Sequence, residues 1–263
     1  MALVRRDGCD LHYTVQGRGP PLILAAGLGG TADWWAPQVE RYAARFTVLH
    51  FDQRGTGRSS RIPVASVEEM AEDLRAVLDH AGIERAMMVG HSTGAAIGVA
   101  LALDHPGRLD RLVIYASTTH GDVYRRRIFR LRQSLLEQGG PAAYAAYSTL
   151  LLYPPYWINA HAGALPAMEA AAAAGLGAPA VQASRLEAIL RFDRRAELGR
   201  LDLPVRVLCA ADDILTPPYF SEGFAEAIPG AGLWLEPRGG HALSRTEPAA
   251  FDAAVLPFLE SPA

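Results

Sequence analysis

The sequence predicts an α/β protein: a mostly parallel, eight-stranded sheet with helices on both faces and a helical insertion. Three observations carry this. Short apolar runs with little alternation recur along the chain, as strands covered on both faces do. Segments of helical pattern separate them, which implies parallel strands joined by crossovers. That alternation then stops between about Ser117 and Glu197, where no apolar strand is visible. With 263 residues, 50% of them hydrophobic, the chain is long enough for one large core.

In chain order, "ALVRR" and "LHYTVQG" read as a hairpin around the turn "DGCD". The runs "PPLILAAGLGG", "FTVLHFDQRGTGRS" and "RAMMVGHSTG" each enter a glycine-bearing turn, and "RLVIYAS", "VRVLCAADD" and "GLWLEPRGGH" complete the set. Between them, "SVEEMAEDLRAVLDHAG" opens on a capping box, Ser66 with Glu69. Met70, Leu74, Val77, Leu78 and Ala81 share one face of that helix, and Gly82 stops it. "TGAAIGVALALDHPG" is almost entirely small or apolar and is expected to lie buried on the sheet.

Residues 1–116 and 198–263 are thus expected to form the core, and 117–197 a helical cap inserted in it. Such an insertion at the C-terminal edge of a parallel sheet covers a site there. "MEAAAAAGLGAP" reads as a helix and its exit, and there is no internal repeat. "YRRRIFRLR" reads as a solvated helix face, with the narrower reading that one arginine reaches a substrate carboxylate.

A formal charge of -3 gives no reason to expect nucleic acid or an anionic membrane as partner. No window has transmembrane length, and the start lacks a signal-peptide segment. Cys9 and Cys209 lie far apart with no metal-ligand spacing, and Cys209 reads as a small core residue. A structural disulfide is not expected, which fits a reducing compartment. The expectation is a cytoplasmic protein with a small-molecule substrate, no metal or other cofactor and no membrane, free to pair as a homodimer.

The chemistry centres on Ser92, in Gly-His-Ser-Thr-Gly. Composition alone gives about 0.1 matches to G-x-S-x-G in such a chain, so context decides. An apolar strand precedes this serine and a small-residue helix follows, the setting of a nucleophile elbow. The helix N-terminus offers N–H groups to a developing oxyanion. A serine hydroxyl also needs a base. His241, in "PRGGHAL" after the last strand, leads the candidates, its alternative being an ordinary loop histidine. The side chain of His91 is expected to point elsewhere. His80 and His105 read as helix residues, and His12 and His50 as strand residues. His120 and His161 fall in the insertion, within reach of substrate. "AADDILTP" supplies the acid as Asp212 or Asp213, the other being a turn residue.

"AAGLGG", "FDQRGTGRS", "VGHSTG", "AADDILTP" and "GGHAL", in this order, resemble the motifs of the α/β-hydrolase fold over nearly the whole chain. The resemblance implies a Ser-Asp-His triad. It selects Asp213, four residues before the proline, and implies an oxyanion hole from the backbone N–H groups of Leu28 and Thr93. Ala26-Gly27 stands where the family often has His-Gly, and a backbone donor survives that change. "RGTGRS" lacks the lysine and spacing of a phosphate loop and reads as a turn beside the oxyanion hole.

"GLGGTADWW", "DQRGTG", "LEQGGPAAYAAY" and "LLYPPYWINAHAGAL" are similar, more specifically, to the RutD type of aminoacrylate hydrolase. A neighbouring resemblance is to hydrolases that cleave methylene succinate amides. Both imply a small acidic substrate with an activated C–N bond. Cationic anchors for it are Arg125, Arg126, Arg127, Arg130, His161, Arg185 and Arg191, each with a surface role as its alternative. Trp34, Trp35, Tyr153, Tyr156 and Trp157 could line an apolar wall or pack the core or lid. The same motifs fit a carboxylesterase, an enol-lactonase, a C–C bond hydrolase, or a cofactor-free oxygenase or perhydrolase. A non-catalytic ligand-binding protein on this fold is the reading from another class.

Overall fold

The computed structural model describes residues 2–261. Met1, Pro262 and Ala263, at the outer ends of the expected core segments, lie outside the described residues. The chain opens with β1 (Ala2–Arg6) and β2 (Cys9–Gly17), an antiparallel hairpin. Its turn is Asp7-Gly8, both at positive φ, so Cys9 and Asp10 belong to the strand and not to the turn as expected. Next come β3 (Pro21–Ala25), α1 (Ala36–Tyr42), β4 (Thr47–Phe51), α2 (Val67–His80), β5 (Ala86–His91), α3 (Thr93–Asp104) and β6 (Leu109–Tyr115).

Five helices then run without a strand: α4 (Val123–Ser134), α5 (Gly140–Leu152), α6 (Pro155–Ala160), α7 (Leu165–Gly175) and α8 (Pro179–Arg191). The sheet resumes with β7 (Val205–Ala210), α9 (Pro218–Ala227) and β8 (Gly232–Glu236), followed by α10 (Leu243–Thr246) and α11 (Pro248–Glu260). Strand order is β1-β2-β4-β3-β5-β6-β7-β8, parallel from β4 to β8 with β1 and β2 antiparallel at one edge.

Strand side chains alternate between the two faces. Leu22 and Leu24 join a core with Trp35, Val39 and Tyr42 on one side and Phe251, Val255 and Leu259 beside them. Ile23 between them joins the other core, with Leu74, Val77, Ile97 and Leu101. Every residue of α3 from Thr93 to Leu103 is buried, as its composition demands. The Ser66 hydroxyl accepts from the Glu69 N–H at 3.1 Å, a cap worth about 1 kcal/mol. Glu69 itself reaches the N–H of Ala65 rather than that of Ser66.

Two expectations fail in instructive ways. β8 is not covered on both faces: Leu233, Trp234 and Leu235 are exposed, because β8 is the edge strand. The basic run on α4 is not one solvated face. Arg126, Arg127 and Arg130 are exposed, but Arg125 and Arg132 point inward and are buried. Both cysteines are free and buried. No helix among the described residues is long and apolar enough to cross a membrane.

Candidate active site

The carboxyl ends of parallel strands converge on one region. Ser92 follows β5, Ala26–Gly30 follow β3, and register pairs Ala25 with Gly90, so the glycine loop lies beside the serine turn. Ser92 has φ 52° and ψ -114°, a costly conformation for a residue with a side chain. Its N–H donates to the Tyr115 carbonyl at 2.8 Å, and its own carbonyl accepts from the Ser117 hydroxyl at 2.8 Å. The flanking glycines answer to close approach. A Cβ on Gly94 would collide with the carbonyls of Ala25 and Ala26, and one on Gly90 with the backbone of Gly94 and Ala95.

Asp213 sits just beyond β7 and is 2% exposed. Its Oδ1 accepts the N–H groups of Leu215 (2.8 Å) and Thr216 (2.9 Å), and its Oδ2 accepts the Thr216 hydroxyl at 2.7 Å. The remaining partner of Oδ2 is His241 Nδ1, at 2.8 Å. A carboxylate only accepts, so Nδ1 carries a proton and Nε2 is left to act as acceptor. Asp212 instead accepts the N–H of Gly240 at 2.8 Å, fastening the loop before His241.

The His241 loop is held on further sides. Its carbonyl accepts from His91 Nε2 at 3.0 Å and from the Tyr115 hydroxyl at 2.9 Å, and Ala242 N–H donates to the Leu152 carbonyl at 2.9 Å. His91 does not point away from the site, as its neighbour relation to Ser92 suggested. It stacks on Trp34 (centroids 4.9 Å apart) and Tyr115 (4.6 Å), with the His241 ring 4.7 Å away. Burial first, and the nearby His241 second, hold its pKa well below the usual histidine value. It is therefore the neutral Nε2–H tautomer, suited to donating to a carbonyl. Tyr115, Thr216 and this role of His91 carry no local sequence signal, because each acts across elements.

Four carbonyls of the glycine loop after β3 are fixed. Gln53 Nε2 holds that of Ala26 (2.7 Å), Gly30 N–H that of Gly27 (2.9 Å), and Gln53 N–H that of Gly30 (2.8 Å). The Thr56 hydroxyl adds a second bond to Gly30 at 3.0 Å, so the "RGTG" turn does abut this loop. Because peptide groups are trans and planar, fixing the Gly27 carbonyl toward Gly30 aims the Leu28 N–H the opposite way. The Leu28 carbonyl is held by Arg185, reaching in from α8.

The other sequence candidates scatter. Arg185 is wholly buried and spends its donors on the carbonyls of Leu28 and Arg54 and on Gln53 Oε1, so it is not a free cation for substrate. Arg191 is an exposed ion pair with Glu187 at 2.6 Å. It borders a groove of about 550 Å³ between α4 and α8 whose lining includes none of Ser92, Asp213 and His241. Trp35 is a fully buried core residue. Tyr153, Trp157 and His161 form a stack, with centroids 4.3 and 3.9 Å apart, and His161 is exposed. Tyr156 is exposed and donates to Glu247. Tyr153 also lines a cavity of about 250 Å³ with Leu151, Pro154, Asp212, Ile214 and Gly240, against the His241 loop. His120 packs edge-on against Phe220.

Residues 20–137 match a family model described as alpha/beta hydrolase fold. The chain is 42% identical over 260 residues to the "Putative carbamate hydrolase RutD" of Caulobacter sp. (strain K31), covering 96% of this chain and 97% of that protein. A Shigella flexneri protein of the same name is 36% identical over 244 residues, covering 92% of each. Among solved structures, the enol-lactonase from Burkholderia xenovorans LB400 aligns with a TM-score of 0.90 and 25% identity, covering 99% of this chain and 100% of that one.

Proposed function

The chain belongs to the α/β-hydrolase family, in its RutD-like group, and from that premise we propose that it is a serine hydrolase cleaving an activated C–N bond in a small anionic substrate. The observation that carries the reading is the Asp213–His241 hydrogen bond behind a strained Ser92 turn. In this account His241 Nε2 takes the Ser92 proton as Oγ attacks the substrate carbonyl carbon. The oxyanion accepts from the N–H groups of Leu28 and Thr93. Collapse breaks the C–N bond, and the leaving nitrogen takes the proton from His241. Water then loses a proton to His241, attacks the acyl carbon and frees Ser92. For an enamine carboxylate, which has no acyl carbon at the scissile bond, Ser92, Asp213 and His241 together activate water instead.

The substrates that fit are an enamine or enamide carboxylate, aminoacrylate-like or a methylene succinate amide. The relatives are named carbamate hydrolases, and a carbamate anion shares the small size, negative charge and C–N bond. A second reading, cleavage of an ester or enol-lactone on the same residues, draws on the likeness to the Burkholderia xenovorans enol-lactonase. The test is release of ammonia or amine from a panel of enamine, enamide and carbamate carboxylates, beside p-nitrophenyl acetate and an enol-lactone, with Ser92→Ala in parallel. Fast nitrogen release that the variant loses supports the C–N reading. Efficient ester or lactone cleavage without nitrogen release moves the assignment to the second reading. Full turnover by a folded Ser92→Ala protein overturns both, and no turnover of any member by the wild type favours a ligand-binding role.

A further inference from the structure

Two arginines of the inserted helices are almost wholly buried, Arg125 at 2% and Arg185 at 1% exposure, and they differ in one respect. Arg185 is saturated by backbone and amide oxygens. Arg125 has no side-chain hydrogen bond and no ion pair among the described residues, and its Nε is buried without a partner. Its contacts are aromatic: the guanidinium lies 4.6 Å from the Phe129 ring centroid and 6.0 Å from that of Phe220. Ring faces do not replace the lost hydration of five N–H donors.

The nearby carboxylates are already committed. Asp122 accepts the backbone N–H of Arg125 through Oδ1 and the Tyr219 hydroxyl through Oδ2. Asp213 is taken by Leu215, Thr216 and His241. Arg132, one helical face along α4, is also buried, and among the described residues its Nε has no partner and its guanidinium donates only to the Ser148 hydroxyl. Burial is the first cause, opposed by Asp213 and reinforced by Arg132, that brings the Arg125 pKa down to about 10, so the group stays charged at neutral pH. A cation therefore stands in the seam between α4, the N-terminal end of α9 and the Asp213 loop, with no anion among the described residues bonded to it.

We propose that Arg125, with Arg132 behind it, is an anion-binding subsite that takes the carboxylate of a small monoanionic ligand. The planar fork of a guanidinium matches a carboxylate. The charge of Asp213 close by opposes a dianion such as phosphate. The subsite rests on the proposed function in one respect, that the anion it holds is the substrate. Its binding property is testable without turnover.

The experiment is thermal unfolding of the intact Ser92→Ala protein in sodium acetate against sodium chloride at equal ionic strength. A ligand at ten times its Kd raises Tm by about 3–5 °C in a domain of this size. The subsite predicts that rise for acetate over chloride. Adding Arg125→Gln removes it, Arg125→Lys keeps part of it, and Arg130→Gln, an exposed change on the same helix, leaves it whole. If Arg125→Gln does not fold, the Arg125→Lys and Arg130→Gln pair decides, since only the former touches the subsite. No acetate-specific rise in the parent, or an equal rise in every variant, overturns the subsite and leaves the Ser92 reading untouched. Full turnover by Ser92→Ala overturns that reading and leaves the subsite standing.

Discussion

Replacing Arg185 by methionine tests how the inserted helices govern the loop beside Ser92. The wild-type guanidinium donates to the Leu28 carbonyl from Nε (3.2 Å) and Nη2 (2.9 Å), to the Arg54 carbonyl (2.5 Å) and to Gln53 Oε1 (2.7 Å). Methionine fills much of the volume and satisfies none of these acceptors. Each buried acceptor left without its donor costs about 1–3 kcal/mol. Against that, the variant no longer buries a guanidinium whose pKa desolvation lowers to about 10, which offsets about 3 kcal/mol. The expected net loss is about 3 kcal/mol, or a Tm lower by about 6–12 °C for a domain of this size. Losing a whole oxyanion-hole donor costs about 100–1000-fold in kcat. Here the loop keeps its bonds to Gln53 and its own turn, so a fall of about 10–100-fold in kcat with KM nearly unchanged is expected. Urea unfolding followed by tryptophan fluorescence gives the first quantity and steady-state kinetics the second, with Arg185→Lys intermediate in both. Stability within about 0.5 kcal/mol of wild type together with an unchanged kcat would refute the reasoning.

The two adjacent aspartates separate cleanly. Asp213→Asn is expected to lower kcat by about 10⁴-fold, because the amide no longer holds His241 in its Nδ1–H tautomer. Asp212→Asn keeps an oxygen for the Gly240 N–H and is expected to stay within about tenfold; steady-state kinetics on both variants distinguishes them. His91 makes stability pH-dependent. Its folded pKa lies well below the unfolded value, so below about pH 6.5 the unfolded chain binds the extra proton and stability falls with falling pH. Between pH 7.5 and 5.5 the wild type is expected to lose more stability than His91→Phe in urea unfolding. Equal losses would mean that His91 is protonated alike in both states.

What was legible in the sequence was mostly local. Gly90, Ser92 and Gly94 announce their turn because the steric demand falls within five consecutive residues, and α3 announces its burial because almost nothing in it is polar. The Asp213 and His241 loops were legible as strand ends. Asp213 could not be told from Asp212 by its own chemistry, only by the family spacing, since the difference lies in which loop each carboxylate faces. The place of His91 is not legible in the sequence, because a neighbour across a strand-to-helix turn is also brought beside the histidine loop. Arg185 and Arg125 looked alike on their helices. One meets backbone carbonyls from the β3 and β4 turns and the other meets aromatic rings, a distinction made only by tertiary packing. β8 carries the same apolar pattern as the central strands, yet its position at the sheet edge leaves Leu233, Trp234 and Leu235 exposed.

The most direct test of Ser92 as an activated nucleophile is stoichiometric labelling with a fluorophosphonate, read by intact mass and peptide mapping on wild type, His241→Ala and Ser92→Ala. The account predicts one adduct per wild-type chain, located on Ser92. Labelling should be slowed by at least about 1000-fold in His241→Ala and absent in Ser92→Ala. An unlabelled wild-type protein, or an adduct that maps elsewhere and survives Ser92→Ala, would contradict it.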